Sequence, residues 1–60
     1  MIHVGSKVHN RKDPRILGVV LWISTLRKYI LIRIVDKPQD NALLTDVEYW
    51  MYTEDWEEYA

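Results

Sequence analysis

Residues 29–35 alternate as a sheet strand does: Ile30, Ile32 and Ile34 fall on one side, Leu31, Arg33 and Val35 on the other. A period of two, with β-branched residues on one side, predicts a strand with one buried face. Residues 18–23 are rich in Val and Ile and predict a second strand. Residues 46–52 read as a third, with Val47, Tyr49 and Met51 opposite Glu48, Trp50 and Tyr52. Positions 46–58 hold neither Gly nor Pro, so a helix competes there; the Val, Tyr, Trp and Thr content favours the strand. Shorter strands are expected at 7–9 and 57–59. The polar stretches 10–15 (with Asp13-Pro14), 24–28 and 37–41 are connections. Residues 42–46 are open to a helical turn. Residues 53–56 predict one helical turn capped by Thr53, with Asp55 near its positive end.

Five short strands and a turn predict one all-β domain over residues 1–60, arranged as a small barrel or a meander. Closure hides strand edges, which matters in a chain that is 48% hydrophobic. At 60 residues the core is small and welcomes supplementary stabilisation. With no cysteine, disulfides and thiolate metal sites are excluded. Three Trp and four Tyr supply large buried areas instead. The first residues lack the basic start and apolar stretch of a secretory signal, and no apolar run spans a bilayer, so a soluble, cytoplasmic protein is expected.

Several motifs carry a family resemblance. Gly5-Ser6-Lys7-Val8 resembles the opening of SH3-like barrels, in which an acid usually stands where Ser6 does. Arg11-Lys12-Asp13-Pro14 follows, then the strand Leu17-Gly18-Val19-Val20. Ile30-Leu31-Ile32-Arg33-Ile34 matches the middle strand. Tyr49-Trp50 and Glu54-Asp55-Trp56-Glu57 match the ending, with Trp56 in place of the usual Leu. The whole is similar to small SH3-like barrels of bacteriophages and bacteria, and loosely to the small barrel protein of photosystem I and to Tudor-like and KOW-like barrels. The resemblance implies a five-stranded SH3-like barrel with a short helical turn before the last strand. Its motifs are structural, and fold alone does not confer function.

The candidate chemistry favours binding over catalysis. His3, His9, Ser6 and Ser24 form no nucleophile motif, and a barrel this small fills its own interior. We therefore expect no catalytic residue, no cofactor and no metal; His3, His9 and Asp13 lack a ligand spacing and read as surface groups. If Ile30, Ile32 and Ile34 point inward, Leu31 and Arg33 lie outward. If Val47, Tyr49 and Met51 point inward, Trp50 and Tyr52 lie outward, although the sequence leaves open which face of residues 46–52 is buried. Trp22 joins either face. Aromatics beside an Arg are the composition of an interface, so these five residues are the candidate protein-binding set. A larger protein is the expected partner; a homo-oligomer would use the same surface. The resemblance implies a phage-encoded adaptor acting on a host or virion protein.

Charge supplies the rival reading. Residues 1–30 hold six Lys or Arg and one acid, for +5; residues 31–60 hold two Lys or Arg and eight acids, for −6. The two halves either neutralise each other or form separate patches. Lys7, Arg11, Lys12, Arg15, Arg27 and Lys28 are the candidate nucleic-acid-binding residues, as an accessory protein would need. A net charge of −1 weighs against that reading. A third possibility is a structural component of a larger assembly. The acidic run from Glu54 to Glu58 reads first as a solvated end, with an acidic docking strip as its alternative.

Overall fold

A computed structural model describes residues 1–59 as five antiparallel strands in one sheet. They are β1 (Lys7–Asn10), β2 (Leu17–Ile23), β3 (Tyr29–Asp36), β4 (Glu48–Tyr52) and β5 (Trp56–Glu58). A 3-10 turn, Thr53–Asp55, separates β4 from β5. The sheet order is β4-β3-β2-β1-β5, so β1 to β4 form a meander and β5 returns to pair with β1. The sheet is open: β4 and β5 are its two edges and do not pair with each other. No helix among the described residues is long and apolar enough to cross a membrane.

The isoleucine alternation places the core as expected. Ile30, Ile32 and Ile34 are fully buried with Val8 and Val20, joined by Ile2, Ile16 and Trp56. Ile23, Leu43, Tyr49 and Met51 pack against this cluster from its rim. Trp56 is thus a core side chain, the largest one fully buried. Gly18 lies opposite Val8 and Ile34. A β-carbon there would sit 3.1 Å from the Arg33 carbonyl oxygen and 3.5 Å from Ile32 Cδ1, so β2 and β3 approach closely enough that a side chain would push the Arg33 main chain aside by a few tenths of an ångström. Gly5, at φ +91°, takes a backbone conformation that only glycine adopts freely.

Five local expectations change. Thr53 does not cap the turn: Tyr52 is its N-cap, no side chain caps it, and Thr53 Oγ1 is buried without a partner. Residues 42–46 hold no helix, and β4 begins at Glu48 rather than 46. The cause is local. Asp46 sits at φ +63°, and both its N–H and the Val47 carbonyl bond to Ile34, as in a bulge. Val47 is left exposed rather than buried. The last strand starts one residue early, because Trp56 already pairs with Asn10.

Pairing of β1 with β5 brings the basic and acidic halves together. Glu57 accepts from Arg11 at 3.1 Å and lies 3.0 Å from His9 Nε2. Glu58 takes a hydrogen bond from Ser6 Oγ at 2.7 Å and contacts the amino terminus at 3.0 Å. The Ser6 hydrogen bond first, and the amino terminus second, hold the Glu58 carboxyl below its ordinary value. Ser6 therefore ties the first turn to the last strand; its Oγ also accepts the His3 N–H.

Candidate interaction face

Alternation along β2, β3 and β4 leaves a second face, away from the core. In β3 it presents Tyr29, Leu31 and Arg33; in β4 it presents Glu48, Trp50 and Tyr52. The register sets these directly opposite one another: Tyr29 with Tyr52, Leu31 with Trp50, Arg33 with Glu48. Hydrogen bonds from Thr53 N–H to the Lys28 carbonyl and from Ile34 N–H to the Val47 carbonyl fix the ladder's phase. The three outward pairs are therefore the non-hydrogen-bonded ones, whose side chains approach most closely. The Tyr29 and Tyr52 ring centroids are 5.2 Å apart, and Arg33 Nη2 donates to Glu48 Oε2 at 2.7 Å. That pairing raises the Arg33 pKa, chiefly through the hydrogen bond to Glu48.

Trp22 joins this face because of a bulge. Val20 pairs with Ile32 and Trp22 with Leu31, so Leu21 is the extra residue. Strict alternation from Val20 would point Trp22 into the core and Ile23 out. The extra residue reverses both: Ile23 packs against the core, and Trp22 is 62% exposed. Trp22, Leu31 and Trp50 then form one row across three strands, with Tyr29 and Tyr52 in the next row. Trp50 and Tyr52 are more than half exposed, Tyr29 is exposed, and Leu31 is half-buried between its neighbours. All five residues of the candidate protein-binding set thus meet on one face. Tyr29 completes it; its place two residues before Leu31 was the sequence signal for it.

The six basic residues do not form one surface. Arg15 makes two hydrogen bonds to the Asp13 carboxylate, at 2.9 and 3.0 Å, and Arg11 is paired with Glu57. Arg27 donates to the Ile2 carbonyl. Arg11 and Arg27 share a cleft of about 390 Å³ with Glu54, Glu57 and Glu58. Lys28 borders another, of about 490 Å³, with Leu26, Tyr52 and Glu54. Lys7 stands on the outer face beside Val19, which pairs with Arg33. Lys7, Lys12 and Lys28 make no ion pair among the described residues. Among those residues no three His, Asp or Glu side chains converge as a metal site. No family model, curated protein or solved structure matches this chain.

Proposed function

We propose that this protein is a non-enzymatic interaction module that docks a larger protein on its outer face. The observation that carries the reading is the exposed row Trp22–Leu31–Trp50, with the Tyr29–Tyr52 pair beside it. Exposed aromatics grouped in this way mark an interaction site, and Trp, Tyr and Arg are the usual energetic anchors of one. Lys7, across from Val19 on the outer face, and Lys28, beside Tyr52, make no ion pair among the described residues, so charge complementarity favours a partner with apolar side chains flanked by carboxylates. The strand order, with β5 returning to β1 after a 3-10 turn, supports an SH3-like barrel reading of the sheet. The family resemblance extends the proposal to a phage-encoded protein with a host or virion target, acting in the cytoplasm.

The test compares the wild-type chain with Trp22→Lys and Leu31→Asp as baits in a lysate of the source cells. One protein should be held in stoichiometric amount by the wild type after nuclease treatment. Its affinity should fall about thirtyfold or more in each variant, the loss expected of a hot spot. Folding is checked by circular dichroism. Equal retention by wild type and both variants overturns the assignment of this face. Retention that nuclease abolishes, and that Lys12→Ala weakens, replaces it with the nucleic-acid reading.

A further inference from the structure

The two edges of the sheet are unlike. On β5 the outward main-chain groups belong to Trp56 and Glu58, because Arg11 with Asp55 and Lys7 with Tyr59 are hydrogen-bonded across to β1. The Trp56 N–H is already given to the Thr53 carbonyl. That edge is three residues long, and its last two are acidic. Short, charged edges resist pairing with other strands.

The β4 edge is longer and less protected, since its one charge, Glu48, is paired with Arg33 and the bulge at Asp46 lies before the strand begins. It has no Lys, no Pro and no register shift, and the side chains it turns toward the core, Tyr49 and Met51, are uncharged. The ladder phase aims the main-chain groups of Glu48, Trp50 and Tyr52 away from β3. No hydrogen bond outside the ladder occupies the main chain of Glu48 or Trp50. The Tyr52 carbonyl, as N-cap, serves the 3-10 turn.

We infer that β4 pairs antiparallel with β4 of a second copy of this chain, about a two-fold axis through Trp50. The register follows from the outward groups. Only pairing Trp50 with Trp50, and Glu48 with Tyr52, uses all three outward residues. It makes about four inter-chain hydrogen bonds, two from the central pair and one from each flanking pair. A register centred on Glu48 sets two carboxylates opposite each other. One centred on Tyr52 runs into the turn. The axis is perpendicular to the sheet, so both outer faces point the same way. The two rows Trp22–Leu31–Trp50 then join end to end in a ten-stranded sheet. The pairing is short, so the dimer forms at roughly micromolar concentration rather than below it. This inference is independent of the larger partner proposed above.

The chain has no cysteine, so a single introduced thiol reports the register. Residues facing each other in a hydrogen-bonded antiparallel pair lie about 5.5 Å apart at Cα, within disulfide range. Under mild oxidation Trp50→Cys should cross-link at least about tenfold faster than Trp22→Cys, which shares the outer face but not the edge. Sedimentation of the wild type should show concentration-dependent dimers. Trp50→Pro removes an N–H that β3 does not use, and should be monomeric while keeping its sheet spectrum. A wild type that stays monomeric at about 1 mM, or equal cross-linking rates for the two thiol variants, overturns the inference. Dimers that persist in Trp50→Pro overturn it as well. Trp22→Lys separates the two claims, since it should lose the larger partner and keep the dimer.

Discussion

Replacing each of two tryptophans by alanine separates core from surface. Trp56 is 1% exposed and closes the core between β1 and the 3-10 turn, whereas Trp22 is mostly exposed on the outer face. A buried Trp contributes roughly 200 Å² of side-chain surface, worth about 5 kcal/mol at 25 cal/mol per Å². Measured losses for a buried Trp changed to Ala run about 3–5 kcal/mol, cavity included. A chain of 60 residues has a total stability of roughly 3–9 kcal/mol. Trp56→Ala should therefore remove much or all of the folded population. Trp22→Ala keeps the core intact and should cost about 1 kcal/mol or less. The assay is urea unfolding followed by far-ultraviolet circular dichroism, at a concentration where association is absent. With a slope near 1 kcal/mol per molar urea, Trp56→Ala should lower the midpoint by about 3 M or abolish the folded baseline. Trp22→Ala should move it by about 1 M or less. A Trp56→Ala cost under about 1.5 kcal/mol, or a greater loss from Trp22→Ala, would mean that Trp56 does not hold the core together.

Two further outcomes follow from the same structure. Glu58 has a depressed native pKa, so its contribution is complete above the ordinary carboxylate range and fades as pH falls through the lower native value. Ser6→Ala removes the main cause, and a carbon-detected NMR titration should show Glu58 moving back up; no movement would mean that Ser6 is not the cause. Gly18→Ala drives a β-carbon against the Arg33 carbonyl and Ile32, and should destabilise by about 1–3 kcal/mol in thermal or urea unfolding. An unchanged melting temperature would show that β2 and β3 can separate at no cost.

Period-two alternation and β-branching determined much of this protein before any fold was known. Ile30, Ile32 and Ile34 had to lie on one face of a strand, and Leu31 and Arg33 on the other, because successive side chains of a strand point to opposite sides. The same rule put Trp50 and Tyr52 beside each other and away from Tyr49 and Met51. Other features depended on contacts between residues far apart in the chain. The bulge at Leu21 decided that Trp22 faces outward, and alternation alone pointed the other way once Val20 was buried. The return of β5 to β1 decided that Arg11 and His9 meet Glu57, which divided the basic cluster and brought the two charged halves together. Turn conformations decided where β4 starts and what Thr53 does: Asp46 at positive φ forms the bulge, and Tyr52, not Thr53, ends the strand as N-cap. Alternation is a property of one strand. Register, bulges and edges belong to pairs of strands, and only the assembled sheet decides them.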